Sequence, residues 1–250
     1  MYVNTTGIIL RETAYKDSSK ILTVLTSSHG KLTVSARGAL RKNSKLAAVT
    51  QLLAYSEMTL FSSRGRWTLN EARSVRQFIG LREDLPLISL GAYIAEIVEA
   101  VADEDSPNAE LLPLCLNALY ALSEKLKEPA YVKPAFELRL MAAAGYTPLI
   151  SSCSVCSKTE FNRAYLDKVG GTLRCELCPS DDFEKPSPLG SGALQAARYI
   201  ISCDSKKLFS FTIGEKALNE LTSACEGYLL YQLDRRFGTL DFYNNVKAFA

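Results

Sequence analysis

The sequence has few of the residues and motifs on which common enzyme classes depend. It contains one histidine, His29, so the helix with two histidines four residues apart that zinc proteases require cannot be built. It has no Gly-x4-Gly-Lys-Ser/Thr phosphate loop, no Gly-x-Gly-x-x-Gly turn and no Gly-x-Ser-x-Gly nucleophile elbow. His29 lies in SSHGK between two alternating apolar segments, which favours a hairpin tip over a catalytic base. We therefore expect a protein that is not an enzyme.

Long apolar runs are also absent. No stretch approaches the roughly 18 uninterrupted apolar residues that a membrane span requires. The first residues, MYVNTTGIIL, have neither a basic leader nor a continuous apolar core. With 47% hydrophobic and 22% charged residues, the composition is that of an ordinary globular protein. We expect a cytoplasmic location and no membrane partner.

The sequence contains seven cysteines, which is a small and odd number and therefore does not suit a disulfide framework. Four of them form two Cys-x-x-Cys pairs, Cys153 with Cys156 and Cys175 with Cys178. Each pair lets two thiolates share one tetrahedral metal, and two pairs leave no open coordination position. We therefore predict one structural zinc ion per chain, bound by these four residues. A redox pair and a module that has lost its metal are the alternatives.

Positive charge is concentrated near the N-terminus. Residues 1–80 contain twelve basic and four acidic side chains, a net charge of +8, whereas the remaining 170 residues carry −6. This asymmetry indicates that any polyanion binds to the first part of the chain.

The pattern of apolar residues changes near Pro86. Before it, five short segments rich in Val, Ile, Thr, Leu and aromatic residues are separated by glycine-containing turns, which favours a small closed barrel of the OB-fold type. After it, apolar residues recur at spacings of three and four, which predicts helices. The predicted fold is multidomain α+β, with a five-stranded OB-fold barrel followed by an α-helical domain that contains an inserted zinc-binding module. The predicted boundaries are 1–80 for the nucleic-acid-binding barrel, 81–150 and 181–250 for the helical domain, and 151–180 for the module.

A cluster of cations lies in SARGALRKNSKLAA, residues 35–48, which contains no acid. We call Arg37, Arg41, Lys42 and Lys45 the basic loop and predict that they bind phosphates. Arg64, Arg66 and Trp67 follow a second turn and offer a planar stacking group beside further cations. Lys31, Arg64 and Arg66 complete the predicted DNA-binding set. An ordinary solvated surface loop is the alternative.

Several segments resemble the RecO family of bacterial DNA repair and recombination mediators, in the same order along the chain. They are GIILRETAYKDSSKILTVLTSSHGKLTVSARGALRKNSKLAAVTQLLAYSEMTLF, FELRLMAAAGYTPLISSC, the paired cysteines and YLLYQLDRRFGTLDF. The resemblance implies an OB-fold, a helical domain and a zinc module. It further implies binding of single- and double-stranded DNA, strand annealing, and a nucleoid-associated protein. The implied protein partners are RecR, the acidic C-terminal tail of single-strand binding protein and, indirectly, RecA, which is loaded onto gapped DNA.

The location of the tail site is less defined. The helix KPAFELRLMAAAG offers Lys133 and Arg139 as a receptor for an acidic peptide, but a core-facing stripe explains the same spacing. The chain also departs from the family at Gly238 and Thr239, where many members have Lys-Ser.

Two other functions are compatible with the residues. An OB-fold RNA-binding or translation-associated factor with a structural zinc ribbon would have the same charge pattern and cysteines. The other is a nuclease that uses carboxylates with magnesium. Its only support is two acidic segments, DEDS at 103–106 and SDDFE at 180–184.

Overall fold

The structure is a computed structural model that describes residues 1–178 and 186–248, so SDDFE lies outside the described residues. Two compact units are present, Met1–Lys125 with Phe237–Ala250, and Leu126–Arg236. These units are defined by which residues pack together. The predicted boundaries were defined by changes in sequence pattern instead, and they divide the chain into 1–80, 81–150, 151–180 and 181–250. No helix in the described part of the chain is both long enough and apolar enough to cross a membrane.

The first unit contains a closed barrel in the order β1-β2-β3-β5-β4, in which β4 pairs again with β1. Only β3 and β5 pair in parallel. This arrangement confirms the predicted OB-fold. The strands are β1 Tyr2–Tyr15, β2 Ser19–Thr26, β3 Gly30–Ala36, β4 Tyr55–Ser63 and β5 Arg66–Arg76.

The barrel has apolar side chains on its inner face and on part of its outer face. Alternate strand positions point inward, so Ile9, Val24 and Leu60 belong to one buried core cluster. The neighbouring positions Ile8 and Leu25 point outward and yet are 0% and 1% exposed. A second layer must therefore cover that part of the barrel.

Helices supply this layer and most of the second unit. The first of them begins after Asp84, whose side chain accepts a hydrogen bond from the Leu87 amide at 3.4 Å, with Pro86 in its first turn. It packs against the first barrel strand and against the last helix. The helices are α1 Leu85–Val101, α2 Leu111–Ser123, α3 Pro129–Ala143, α4 Ser191–Ser202, α5 Glu215–Gln232 and α6 Gly238–Lys247.

In the second unit, α3 packs against α4 and α5 beside a three-stranded sheet of order β7-β6-β8. The sheet consists of β6 Arg163–Leu166, β7 Leu173–Cys175 and β8 Ser187–Gly190. A hairpin turns at Gly170 and Gly171 between β6 and β7, with Gly171 at φ +62°. α3 begins at Pro129, four residues before the segment KPAFELRLMAAAG, and proline is well suited to this first helical turn.

Candidate nucleic-acid interface and metal centre

The basic loop connects β3 to β4, and its conformation separates apolar from charged side chains. Ala39, Val49 and Leu53 are buried, at 2%, 5% and 2% exposure, and fix the loop to the barrel. The Leu53 amide donates to the Ile9 carbonyl at 2.9 Å, and the Leu40 amide donates to the Ser18 carbonyl at 2.9 Å. The loop is therefore ordered by its own apolar residues and backbone hydrogen bonds.

The four cations of the basic loop all lie on the surface. Within residues 1–178 and 186–248, none of the four forms an ion pair. The buried residues Ala39, Val49 and Leu53 hold the loop against the barrel, while the charged side chains face solvent. The loop consequently presents positive charge that the described residues do not neutralise.

The remaining predicted DNA-binding residues divide into two groups. Arg64 and Arg66 are exposed in the β4–β5 turn, where Arg64 has φ 50° and Arg66 is the cross-strand partner of Ser63. Lys31 is half-buried, and its Nζ donates to the Glu99 carbonyl of α1 at 2.9 Å. The structure thus gives Lys31 a partner within the unit, whereas the two arginines remain open to solvent.

Glu99 of helix α1 contacts residues on the outer face of β1, β2 and β3. The Glu99 Oε1 atom forms an ion pair with Arg11 Nη2 of β1 at 2.8 Å. It also lies 3.5 Å from Thr23 Oγ1 of β2. The chain after α1 then continues along β3, since the Lys31 amide donates to Asp103 O and the Asp105 amide donates to Lys31 O. OB-folds commonly bind oligonucleotides on the face of strands 2 and 3. In this barrel the protein itself covers the part of that face that carries Thr23 and Leu25.

The four predicted metal ligands are brought together. The Sγ atoms of Cys153, Cys156, Cys175 and Cys178 all lie within 4.8 Å of one another, and those of Cys156 and Cys175 are 3.7 Å apart. In a tetrahedral site with metal–sulfur bonds of about 2.3 Å, neighbouring sulfurs are about 3.8 Å apart. The four sulfurs fit one tetrahedral metal ion.

Backbone hydrogen bonds favour the thiolate form of one of these residues, Cys153, whereas burial and its cysteine neighbours raise the pKa of the Cys178 thiol to about 12. The Cys175 amide donates to Cys153 Sγ at 3.4 Å, and the Cys178 amide donates to Cys175 O at 3.1 Å. Burial raises the pKa of the Cys153 thiol, but hydrogen bonds from the Cys156, Cys175 and Val155 backbone outweigh this and lower it to about 6. The Cys153 thiolate, which is the metal-binding form, is therefore favoured at neutral pH.

The two residues predicted to receive an acidic tail are engaged inside the second unit. Lys133 is 3% exposed, and its Nζ lies 2.8 Å from Glu137 Oε1 and 2.7 Å from Glu226 Oε2. Arg139 is half-buried, and its Nη2 donates to the Cys203 carbonyl and contacts Cys203 Sγ at 3.3 Å. This geometry favours the core-facing alternative for the helix.

Comparison with models of known protein families identifies the family of this chain. A model described as recombination protein O N terminal matches residues 1–78, and one described as recombination protein O C terminal matches residues 82–241. The chain belongs to the RecO family. Relatives of this family include the DNA repair protein RecO of Acetivibrio thermocellus, 34% identical over 98% of this chain and 97% of its own.

Two further RecO relatives show similar coverage. The DNA repair protein RecO of Caldicellulosiruptor bescii is 28% identical over 98% of this chain and 99% of its own. That of Bacillus pumilus is 30% identical over 91% of this chain and 88% of its own. The RecO resemblance recognised in the sequence is confirmed.

Two features of the first unit were not found from the sequence. One is the coverage of the barrel by α1, and the other is an exposed pair of aromatic rings, Tyr2 and Phe61, at the beginning of β1 and the end of β4. Both depend on contacts between distant parts of the chain. Apolar residues at the outward positions Ile8 and Leu25 were a local signal of a covered face.

Proposed function

We propose that this RecO family chain is a DNA repair and recombination mediator that binds single- and double-stranded DNA and anneals complementary strands. The observation that carries the proposal is the basic loop, with four exposed cations on an OB-fold barrel. Arg64 and Arg66 extend the positive surface on the β4–β5 turn, one of the loops with which OB-folds contact nucleic acids. DNA repair is also the activity named for the relatives.

Annealing places modest chemical demands on a protein. It requires that phosphates on two strands be neutralised without reading of base sequence, and that the protein then release the duplex. A flexible set of arginine and lysine side chains on an ordered loop meets this requirement. No bond-making step is needed, so the protein acts as a mediator rather than an enzyme.

The mediator function also involves protein partners. The chain helps to load RecA onto gapped DNA covered by single-strand binding protein, together with RecR, and binds the acidic C-terminal tail of the binding protein. Support for these partners comes from family membership. Since Lys133 and Arg139 have internal partners, the tail binds through other residues of the chain.

The metal in the four-cysteine centre is zinc, with a structural role. Four cysteine ligands in two Cys-x-x-Cys pairs are typical of structural zinc sites, and they leave no position for a substrate. Zinc binding supplies folding free energy to the hairpin of β6 and β7, which is too short to be stable alone.

Two experiments separate this function from its alternatives. In a competition between single-stranded DNA and RNA of equal length, preference for DNA supports the mediator, and preference for RNA supports the translation-associated factor. Incubation of labelled DNA with magnesium tests for a nuclease. Within residues 1–178 and 186–248, the four cysteines are the one group of at least three His, Cys, Asp or Glu side chains that is close enough to hold a metal.

A further inference from the structure

The usual ligand face of the barrel is covered over most of its width. Ile8, Leu25 and Lys31 are cross-strand neighbours on β1, β2 and β3 and therefore lie side by side on one face. The first two are buried, and Lys31 bonds to the Glu99 carbonyl of α1. A nucleobase cannot stack on this row unless α1 moves away. Any base contact with the barrel must use another part of its surface.

The β1–β4 face of the barrel carries an exposed aromatic pair. Tyr2 and Phe61 are cross-strand partners on β1 and β4, with ring centroids 5.0 Å apart and planes inclined at 49°. Tyr2 is 63% exposed and Phe61 is 37% exposed. Two large aromatic side chains with this much accessible surface offer faces on which planar groups can stack.

A neutral groove of about 910 Å³ adjoins this pair. Asn4 and Thr59, two residues from Tyr2 and Phe61 along the same face, line it and are hydrogen-bonded to each other at 3.0 Å. Its charges balance, because it is lined by Lys45 and Arg73 but also by Glu57 and Glu71. Such a lining suits bases and sugars, which are uncharged, better than phosphates.

Cations lie beside both the groove and the aromatic pair. The lining of the groove includes Lys45 of the basic loop. Beside the aromatic pair, Arg66 pairs with Ser63, two residues beyond Phe61 on β4, and Arg64 occupies the turn. Along β4 the order is thus neutral groove, aromatic pair, cations, and Lys45 adds a positive charge to the groove. Single-stranded nucleic acids are bound by such alternation of positive charge with stacking side chains.

We propose that Tyr2 and Phe61 form a base-stacking platform for single-stranded DNA on the β1–β4 face, in place of the covered β2–β3 face. This inference rests on the proposed DNA-binding function and assigns it a base-contacting site. Phosphates are bound by the basic loop and by Arg64 and Arg66, and the bases turn toward the groove and the rings. Stacking is tolerant of sequence, which suits a protein that anneals any complementary strands.

Two oligonucleotides of equal length and charge test the platform, one of deoxythymidines and one with the same phosphates but abasic sites throughout. We expect Tyr2→Ala and Phe61→Ala each to weaken binding of the thymidine strand about tenfold. Binding of the abasic strand and the salt dependence of binding should stay as in the wild type. Phe61→Leu, which keeps the apolar volume, should lose stacking in the same way. Tyr15→Ala is the matched control, because Tyr15 is 47% exposed on the same strand but is not in the pair.

The outcomes distinguish this platform from other roles of the rings. Equal loss for both oligonucleotides, or no loss in variants whose melting temperatures match the wild type, contradicts stacking. A dimer that Tyr2→Ala dissociates in sedimentation experiments also contradicts it, since the rings would then serve a second copy of the chain. The proposed DNA-binding function fails separately, if the wild-type protein binds neither strand.

Discussion

Glu99 of helix α1 and Arg11 of strand β1 form an ion pair of 2.8 Å across the outer face of the barrel. The same glutamate lies 3.5 Å from Thr23 of β2, and its carbonyl accepts from Lys31 of β3. One residue therefore contacts three adjacent strands on the face that OB-folds commonly give to a ligand. Leu25, which points outward on the same face, is 1% exposed.

Replacement of Leu25 tests this coverage. We expect Leu25→Ala to lower the free energy of unfolding by about 2–5 kcal/mol, because it removes buried methyl groups and leaves a cavity. Thr33→Ala is the control, since Thr33 points outward on β3 but is exposed, and should change the value by less than about 0.5 kcal/mol. Urea denaturation measures both. Similar small effects for the two variants would show that the face is open in solution.

The buried lysine of α3 gives a prediction on stability. Lys133 is 3% exposed and Glu137 is 0% exposed, so Lys133→Met leaves a buried carboxylate without its nearest cation. We expect a loss of about 3–5 kcal/mol in the free energy of unfolding. The exposed Lys216→Met, in the first turn of α5, should have little effect. A loss no larger than that of Lys216→Met would contradict the structure at this site.

The same lysine gives a prediction on pH. Burial lowers the pKa of Lys133, but Glu137 and Glu226 raise it more, so its pKa in the folded protein lies above the ordinary value. Its stabilisation should be complete below the unfolded pKa of about 10.4 and should be lost as the pH rises through the folded pKa. Unfolding measured from pH 8 to 12 should therefore show a steeper loss for the wild type than for Lys133→Met. Parallel curves for the two proteins would exclude this linkage.

The metal centre predicts one zinc per chain in protein purified without chelator. Cys175→Ser should lower the zinc content and the melting temperature, because a structural zinc site contributes folding free energy. DNA affinity of the folded fraction should be unchanged. Cys115→Ala is a suitable control, because Cys115 is a buried helical residue outside the cluster. This variant should still contain one zinc ion per chain. Absence of zinc from the wild-type protein would falsify the assignment.

The sequence predicted those features that local patterns determine. Alternating apolar residues and glycine turns predicted the barrel. The spacing of the cysteines alone predicted that the four would form a metal centre. Features that depend on distant contacts were not predicted. The register of Tyr2 with Phe61 follows from closure of the barrel, and the contact of Thr23 with Glu99 spans 76 residues.

Lys133 shows a different limit of sequence reasoning. A lysine among apolar helical neighbours has the same spacing whether it faces a peptide or the core. The choice depends on Glu226 of α5, which the sequence of α3 does not contain. The packing of α5 against α3 brings that carboxylate to Lys133 and favours the core.

The salt dependence of single-strand binding tests the central claim most directly. If the four cations of the basic loop each contact a phosphate, affinity should fall with salt at a log–log slope of about 3, or about 0.7 per contact. Reversal of two of them, Arg41→Glu with Lys42→Glu, should weaken binding to all sequences alike, make the slope shallower by at least about 1.4, and slow annealing in step. Lys206→Glu with Lys207→Glu, two exposed lysines of the second unit, should change neither quantity. A basic-loop variant with the wild-type slope and annealing rate would contradict DNA binding by this loop.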